Sequence, residues 1–369
     1  MKYRFSCYDE NVRLMRIVKG LMMKKKIRMT PVKKILIFLL IGYLLLTVLP
    51  RPQSVEGENT LRKEFFGSPI LIAHGGGNHE FPDNTLEAFY NAYSIDDRVM
   101  METDVNLTKD GVVILSHDTT LDRKTNLTNA LIIETNYADL VSDEVDFAYQ
   151  NEVVPNSNGF NVSGEFNTYK NYSDEMVTPL DVTYPDGVVA RHETKFLVTT
   201  LEDLITSFPD NPINVEIKQT GDTGLLALAA VVSLLKDLDD VYNTYDRVVL
   251  VTFHSEVYEQ MKVYQKDGHP ELMIAPETNG VIKFYALFLT GLTVFFNEPV
   301  AVLQIPTEQY GLSLSTKALI RIAHRHNIAV HYWTIDDADE MRRLIDNGAD
   351  GIMTNRPSIS KEVLNSYID

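Results

Sequence analysis

The chain has 369 residues, 44% of them hydrophobic, and a formal net charge of −17, so it is long enough for an α/β barrel of roughly 250 residues plus further segments. Residues 1–51 contain twelve Lys and Arg against two acidic residues, whereas the remainder contains 22 Lys and Arg against 49 Asp and Glu. Non-specific nucleic-acid binding needs a basic surface, so the acidic body excludes that class and we expect no nucleic-acid partner. The single cysteine, Cys7, lies in the basic segment, so the body can form no disulfide of its own.

The first predicted element is an unbroken apolar run from Ile35 to Leu49 that follows a basic leader. The run has no polar face, which argues against a buried core helix, and with its flanking lysines it approaches the ~30 Å of a bilayer core. We therefore predict a basic cytoplasmic leader over residues 1–34 and a single-pass transmembrane signal anchor in the cell membrane over residues 35–50, with the body outside the cytoplasm. A cleavable signal peptide is the alternative, but the long leader and the absence of a small-residue cleavage site favour an uncleaved anchor.

Residues 51–66 are polar and predict a linker. From residue 67 to residue 369, strand patterns alternate with helix patterns, which is typical of βα units and a parallel sheet. The predicted strands are Pro69–His74, Val99–Val105, Ile213–Lys218, Val248–Thr252, Leu272–Ala275, Val300–Ile305, Ala329–Thr334 and Gly351–Thr354. Eight strands close a (β/α)8 TIM barrel, so the predicted fold class is α/β, a TIM barrel with an N-terminal transmembrane helix.

Other segments of the barrel region have their own predictions. Val112–Ser116 also has a strand pattern, but it follows Val105 too closely for a parallel crossover, so we predict the return arm of an antiparallel hairpin. Residues 127–197 show little periodicity and predict a long excursion over the barrel mouth. The predicted helices are one that opens with a capping box at Asn84-Thr85-Leu86-Glu87 and runs through Tyr93, and those over Gly224–Asp237, Ser255–Lys266, Ser315–His326 and Asp336–Asn347.

Charged side chains share one face on each of two predicted strands. Residues two apart in a strand face the same side, so Glu102 and Asp104 point together, as do Asn214, Glu216 and Lys218. Buried carboxylates are costly unless they bind a cation, and oxygen ligands without cysteine favour Mg²⁺ or Ca²⁺ over zinc. The alternative interpretation of Glu102-x-Asp104 is a solvated strand face.

Two histidines lie at predicted strand ends near these acids. His74 precedes three glycines, Gly75 to Gly77, whose backbone N–H groups could approach a phosphate, and His117 precedes Asp118. Each motif alone is typical of an ordinary turn. Together with a cation site, however, a proton-transfer pair is what phosphodiester cleavage needs.

The motifs in their order along the chain resemble the glycerophosphodiester phosphodiesterase family, whose barrel also hosts phosphatidylinositol-specific phospholipase C-like enzymes. The matching blocks are Glu102-Thr103-Asp104-Val105, Thr108-Lys109-Asp110-Gly111, His117-Asp118, Asn214-Val215-Glu216-Ile217-Lys218, Trp333-Thr334 and Asp350-Gly351-Ile352-Met353-Thr354. They occur in the family order from about residue 69 to residue 360, which is more specific than any single motif.

The resemblance implies a role for each matching residue. His74 and His117 would be the catalytic acid–base pair, and Glu102, Asp104 and Glu216 would bind the cofactor, Mg²⁺ or Ca²⁺. Substrate binding would fall to Lys218, Trp333 and Gly75. The implied reaction is metal-dependent hydrolysis of a small-molecule or lipid-derived glycerophosphodiester to an alcohol and sn-glycerol 3-phosphate, and the nucleophile would be water or the neighbouring glycerol hydroxyl.

Three positions depart from the family pattern. Gly75 replaces the arginine that follows the first histidine, Asp83 replaces a glutamate, and Asn355 replaces the last aspartate of the closing motif. The lost arginine removes a bidentate phosphate contact, and we expect altered affinity or substrate choice. Two alternatives therefore stay open: a lipid phosphodiesterase that resembles lysophospholipase D or sphingomyelinase D, and a catalytically inactive surface binding module.

Two further features have open interpretations. The apolar run from Phe284 to Phe296 predicts a helix packed on the sheet or, alternatively, a membrane-facing or acyl-binding element. Arg191, in the excursion, could replace the absent arginine. The remaining histidines of the C-terminal part, His324, His326 and His331, lack metal-ligand spacing, and we interpret them as structural.

Overall fold

The computed structural model describes residues 30–142, 144–148 and 169–367. The chain divides into two units, residues 1–49 and residues 50–369. Most of the predicted leader, including Cys7, and residues 149–168 of the predicted excursion lie outside the described residues.

Helix α1 (Pro31–Val48) contains residues 35–48 of the transmembrane segment predicted over residues 35–50. The Thr30 side chain accepts a hydrogen bond from the Lys33 N–H, and Pro31 occupies the first helical position, where its missing N–H costs nothing. Its 18 residues have a mean hydropathy of 2.0 and none is buried. At about 1.5 Å per residue the helix is ~27 Å long, close to the thickness of a bilayer core. By length and composition it can cross a membrane, a test that a signal sequence also passes.

Eight parallel strands form the barrel, which confirms the predicted fold class. They are β1 (Ile70–Ala73), β2 (Met100–Leu107), β4 (Ile213–Ile217), β5 (Val248–Val251), β6 (Met273–Ile274), β7 (Val302–Ile305), β10 (Ala329–Tyr332) and β11 (Gly351–Thr354). Their order around the barrel is β6-β5-β4-β2-β1-β11-β10-β7. The Ala301 N–H, just before β7, donates to the Ile274 carbonyl of β6 over 2.9 Å and nearly closes the ring.

Within the described residues, two antiparallel pairs of strands accompany the barrel. β3 (Val113–Leu115) pairs with the end of β2, as predicted for the hairpin arm. β8 (Glu308–Gln309) and β9 (Leu312–Ser313) form a separate short hairpin that the sequence patterns did not predict. Both pairs begin near the carboxyl end of a barrel strand, the end at which α/β barrels place their functional loops.

Successive side chains along a strand point to opposite faces, so the core has two layers, one inside the barrel and one between the sheet and the helices. In β1, Ile70 and Ile72 belong to the cluster inside the barrel, whereas Leu71 and Ala73 pack in the layer between the sheet and the helices. The inner cluster includes Met100, Val249 and other mainly apolar side chains, so the barrel interior is a packed core rather than a channel.

The segment over residues 51–66 is not the polar linker that we predicted. Leu61 is fully buried with the inner cluster, and the Asn59 amide donates to the carbonyls of Ala301 and Asn327. His331 and His326 bond to the carbonyls of Leu61 and Pro52, respectively, so both histidines are structural. The segment covers one end of the barrel, and its apolar residues are too few and too scattered for a periodic pattern to identify them.

Helices follow most of the strands. They are α2 (Lys63–Phe66), α3 (Leu86–Ile95), α4 (Tyr137–Leu140), α5 (Leu201–Ser207), α6 (Gly221–Tyr242), α7 (Thr244–Arg247), α8 (Ser255–Lys266), α9 (Thr278–Thr290), α10 (Lys317–Arg325), α11 (Ala338–Asn347) and α12 (Pro357–Asn365). Short 3₁₀ turns lie at His74–Gly76, Ile132–Glu134, Pro179–Asp181 and Thr293–Phe295. The predicted helices are all present, with ends shifted by a few residues.

The predicted capping box before α3 is wrong. Thr85 is the N-cap, and its hydroxyl accepts from the Ala88 N–H, but Glu87 does not return to the cap. Instead both oxygens of the buried Glu87 carboxylate pair with the Arg191 guanidinium at 2.9 and 3.0 Å. Arg191 also donates to the carbonyls of Leu197 and Val198, so it ties the excursion to α3 and does not replace the missing arginine.

The described parts of the excursion lie against the loop that follows β1. The Tyr169 hydroxyl donates to the Asn78 carbonyl and the Tyr172 N–H donates to the His79 carbonyl. Phe147 and Phe196 are buried, so the described parts of the excursion add core to this side of the barrel.

The apolar run from Phe284 to Phe296 is neither fully buried nor fully exposed. Phe284 and Phe296 are buried and meet edge-to-face at 4.9 Å, as expected for a helix packed on the sheet. Leu289 and Phe295, by contrast, are 64% and 57% exposed. Part of the run is therefore left on the surface.

Candidate active site

The predicted acidic residues converge because β2 and β4 are neighbours in register. Glu102 lies opposite Asn214, and Asp104 lies opposite Glu216. Since alternate residues share a face, one ladder brings the three carboxylates together, and one oxygen from each lies within 4.8 Å of the others. Asp104 and Glu216 lie in the carboxyl-terminal halves of β2 and β4, and Glu102 precedes Asp104 by two residues on the same face.

Lys218 neutralises part of this charge. Its Nζ lies 3.0 Å from Asp104 Oδ1 and 2.8 Å from Glu216 Oε1. Burial by itself lowers the pKa of Lys218, but the charges of Asp104 and Glu216 outweigh it and raise the pKa above its ordinary value. The ammonium is therefore charged at any working pH.

The acids have more negative charge than one lysine balances. Burial raises the pKa of Glu102 well above its usual value, and the charges of Asp104 and Glu216 add to the effect. Burial also raises the pKa of Glu216, although Lys218 opposes it. Such a set of oxygen ligands fits a hard divalent cation such as Mg²⁺ or Ca²⁺, which would stabilise all three carboxylates in their ionised form.

Asn84 holds Asp104 in place, a role that the sequence patterns did not assign. Its Nδ2 donates to Asp104 Oδ2 over 3.0 Å, and its Oδ1 accepts from the Asp104 N–H and the Thr103 hydroxyl. Asn84 has φ 56°, a left-handed conformation that asparagine tolerates better than most residues. Its side chain thus links the loop after β1 to Asp104 of β2.

His74 follows β1 directly and faces the acids. Its Nε2 is 4.0 Å from Glu102 Oε2, and its Nδ1 is 2.6 Å from Asn355 Oδ1. The Asn355 Nδ2 donates to Asp336 Oδ2 over 2.7 Å, which leaves Oδ1 as the acceptor. His74 Nδ1 therefore carries the proton, and in the neutral ring Nε2 has the lone pair.

His117 follows β3 and has a charged partner. Its Nδ1 is 2.8 Å from Asp118 Oδ1, and Asp118 Oδ2 accepts from Arg123 Nε over 2.5 Å. Burial alone lowers the pKa of His117, but the Asp118 bond and the Asp104 charge outweigh it and raise the pKa above 6.5. Burial likewise opposes ionisation of Asp118, yet His117 and Arg123 hold its pKa at about 2.

Gly75 bonds to Glu102 and does not face the pocket. Its N–H donates to Glu102 Oε2 over 2.8 Å, and it is not among the residues that line the pocket. It has φ 55°, and a Cβ there would meet the Asp83 Cβ at 3.0 Å. Glycine thus fits this turn, whereas an arginine would need both a strained backbone and a shifted Asp83.

A pocket of about 240 Å³ joins these groups. Of the eight predicted site residues, His74, Glu102, His117, Glu216, Lys218 and Trp333 line it, and Asp104 lies beneath Lys218. Phe253, Thr252, Pro276 and Gln304 also line it, and no sequence pattern identified them. They come from loops and strand ends whose proximity depends on closure of the barrel.

His254 and His324, in contrast, do not join the site. His254 Nε2 lies 3.0 Å from the Lys218 carbonyl and supports the loop behind the pocket. His324 Nε2 lies 2.7 Å from Asp350 Oδ2, and Asp350 also accepts from the Val330 N–H. The Asp350 of the family motif is therefore a buried structural residue.

The sequence of this chain is similar to those of known phosphodiesterases. Residues 74–359 match the model of the glycerophosphoryl diester phosphodiesterase family. The chain is 24% identical to lysophospholipase D GDPD1 from Homo sapiens over 317 residues, which cover 80% of this chain and 86% of that protein. It is 23% identical to a glycerophosphodiester phosphodiesterase from Caldanaerobacter subterraneus over 290 residues, which cover 78% of this chain and 94% of that protein.

Solved structures show the same fold. The phosphodiesterase from Oleispira antarctica, solved with the product sn-glycerol-3-phosphate, superposes with a TM-score of 0.54 at 18% identity and covers 82% of this chain and 98% of its own. A glycerophosphodiester phosphodiesterase from Agrobacterium tumefaciens gives 0.53 at 16% identity, with 79% and 99% covered. The family match spans most of the chain, and the chain belongs to the glycerophosphoryl diester phosphodiesterase family of enzymes.

Proposed function

We propose that this protein hydrolyses glycerophosphodiesters to an alcohol and sn-glycerol 3-phosphate, with Mg²⁺ or Ca²⁺ as cofactor. The observation that supports this most is the convergence of three carboxylates and two histidines at one pocket. That set provides a cation site and two proton-transfer groups within reach of a single phosphate.

Glu102, Asp104 and Glu216 would hold the cation. When bound, the cation would withdraw charge from a non-bridging phosphate oxygen. Lys218 would add a second positive charge to the same anion, and the Trp333 ring would form one wall for the substrate. With Gly75 in place of the family arginine, Lys218 would be the principal cationic side chain that contacts the phosphate.

We assign the base to His74. Its Nδ1 proton is held by a neutral amide, so Nε2 can accept a proton from the attacking hydroxyl. That hydroxyl belongs to water or to the neighbouring glycerol carbon, and both routes use the same base.

We assign the acid to His117. The Asp118 carboxylate stabilises its protonated form, and the ring can then give a proton to the leaving alcohol. The unequal partners of the two histidines thus separate their roles.

The test uses the full chain, glycerophosphocholine, and Mg²⁺ or Ca²⁺. We expect choline and sn-glycerol 3-phosphate as products, and loss of turnover when a chelator is added. His74→Ala and His117→Ala should each lower kcat by at least ~10²-fold while substrate binding persists. His269→Ala is the matched control, because His269 bonds to Tyr245 away from the pocket.

Two results would contradict the proposal. Near-normal turnover in either site variant would remove that histidine from the mechanism. Absence of turnover with every divalent cation, together with retained glycerophosphocholine binding, would favour the inactive binding module.

We further propose that α1 anchors the protein in the membrane with the barrel outside the cytoplasm. The support is the basic leader before an 18-residue apolar helix and the acidic body after it. A protease added to intact cells should digest the barrel and spare an N-terminal tag. Digestion of the barrel only after lysis would indicate the opposite orientation, with the barrel in the cytoplasm. Release of the barrel into the medium would favour a cleaved signal peptide.

A further inference from the structure

A second cavity of about 410 Å³ adjoins the candidate active site. It lies between α9 and the β8–β9 hairpin. Phe253, Pro276, Gln304 and Trp333 line both this groove and the pocket of the acids and histidines. The two spaces therefore share a wall, and a molecule in the pocket can extend into the groove.

The groove is apolar where the pocket is charged. α9 contributes Ile282, Tyr285 and Leu289, and the hairpin side contributes Tyr310 and Leu312. Among the described residues that line it there is no Asp, Glu, Lys or Arg. Its volume is in the roughly 300–1,000 Å³ range of small-molecule sites. A ligand that spans both spaces would thus have one anionic end and one apolar end.

Several of these apolar side chains are left in water. Ile282 is 55% exposed, Leu289 is 64% exposed and Tyr310 is 89% exposed. Neighbouring exposed apolar residues that line one groove indicate a binding site more often than scattered single residues do.

The hairpin has an unfavourable backbone at the groove edge. Tyr310 has φ 51° and Gly311 has φ 73°, so both turn residues are left-handed. A bulky aromatic residue is costly in that conformation, and asparagine or glycine is usual there. The turn therefore presents an aromatic ring at the groove edge at a cost in backbone strain.

We propose that this groove binds the acyl chain of a lysophospholipid whose phosphodiester lies in the active site. The inference rests on the proposed function and names its substrate class. Water would cleave the bond between phosphorus and the head-group oxygen, so lysophosphatidylcholine would yield choline and the acylated glycerol phosphate. The groove meets the pocket along Trp333 and Phe253, so a chain on the glycerol can leave the pocket without crossing the charged face.

The size of the groove favours one acyl chain over a bilayer surface as its occupant. A bilayer would contact a convex or flat face, whereas this is a cavity with walls on both sides that opens into the active site. Each methylene buried in it should raise affinity about fourfold. Because the chain is remote from the reacting bond, the gain should be in KM rather than kcat.

The first experiment compares substrates that share a head group. The full chain in phosphatidylcholine nanodiscs is assayed with glycerophosphocholine and with hexanoyl, octanoyl and decanoyl lysophosphatidylcholine below their micellar concentrations. We expect kcat/KM to rise with chain length by lower KM, to about 100-fold or more over glycerophosphocholine. Equal kcat/KM across the series would overturn the proposal while glycerophosphocholine turnover keeps the proposed function intact.

Ile282→Glu tests the groove directly, and Leu226→Glu is the matched control. The two residues are 55% and 59% exposed, but Leu226 is on α6 and away from the groove. Ile282→Glu should reduce the decanoyl preference at least about tenfold and leave glycerophosphocholine turnover unchanged. The groove would not be the acyl site if Ile282→Glu and Leu226→Glu kept the same preference for the decanoyl substrate. The same conclusion would follow if Ile282→Glu lowered turnover of both substrates equally. Leu289→Glu repeats the test if Ile282→Glu fails to fold.

A binding measurement separates the groove from catalysis. Trp333 is the single tryptophan of the chain and lines the groove, so its fluorescence reports occupancy locally. In chelator, decanoyl lysophosphatidylcholine should change the emission at concentrations at which glycerophosphocholine does not, and Ile282→Glu should weaken the response. Identical responses to both compounds would contradict acyl binding, whether or not the enzyme turns over.

Discussion

The two histidines of the site differ in one neighbour each. His117 bonds to a carboxylate, whereas His74 bonds to the amide of Asn355. A carboxylate stabilises an imidazolium, and an amide oxygen orients a neutral ring without adding charge. With Asn355 at this position, the Nδ1 atom of one histidine bonds to a carboxylate and that of the other bonds to an amide.

Replacing Asp118 by Asn should move the pH profile in a defined direction. Asp118 has a pKa of about 2 and is ionised over the working range, so its charge raises the pKa of His117 throughout. If His117 is the acid, activity is lost as the pH rises through that pKa. Asp118→Asn should lower the pKa of His117, and the alkaline limb of kcat against pH should move down by roughly one unit.

The acidic limb of the same profile serves as the internal control. It should stay in place, since His74 does not contact Asp118. A shift of the acidic limb alone would indicate that His117 is the base and His74 is the acid. A uniform loss of kcat without any shift would show that Asp118 only orients the ring.

Some residues of the site could not be assigned correctly from sequence patterns. The eight candidate site residues were identified from motifs, and most of them meet at one pocket. Gly75 was expected to face the substrate, but its N–H supports Glu102. Asn84 and Phe253 were not assigned, because a side chain that orients a ligand or lines a wall has no spacing rule along the chain.

At the scale of elements, the excursion is held to the barrel by a buried ion pair. Glu87 of α3 is 1% exposed and binds Arg191 with both oxygens. The same Glu87 had suggested a capping box, because Asn-Thr-Leu-Glu before an apolar run has the required spacing. The helix begins with Thr85 rather than Asn84 as its N-cap, and the Asn84 N–H already donates to the Gly75 carbonyl. Glu87 is therefore one position short of the capping-box site, and its buried carboxylate pairs with the distant Arg191.

Arg191→Ala should destabilise the fold strongly. It would leave the Glu87 carboxylate buried without its charged partner, which costs about 3 kcal/mol or more of unfolding free energy. The quantity to measure is the unfolding free energy of the full chain in denaturant. Arg342→Ala is the matched control: its pair with Asp339 is exposed and should contribute less than about 1 kcal/mol. Equal losses in the two variants would contradict a special role for Arg191.

For the whole molecule, the candidate cation site couples function to stability. Three buried or half-buried carboxylates lie close together, and Lys218 pairs with only two of them, Asp104 and Glu216. Without a further cation, their mutual repulsion destabilises the folded state. Any ligand that binds only the folded state stabilises it by mass action.

Mg²⁺ or Ca²⁺ should therefore raise the melting temperature measured against a chelated sample. At 100 times the Kd, the gain is about 2.7 kcal/mol. Asp104→Asn should abolish the gain, whereas Asp339→Asn, at an exposed carboxylate, should keep it. A gain of the same size in both variants would place the cation elsewhere.

The strand periodicity, the eight-strand count, the apolar N-terminal helix and the order of the motifs were all determined by the sequence itself, because each depends on residues close together along the chain. The position of residues 51–66, the pairing of Glu87 with Arg191, the partners of His74 and His117 and the apolar groove were decided only by the tertiary structure. The physical reason is that burial and charge pairing depend on which distant segments the closed barrel brings into contact, and local patterns contain no record of those contacts.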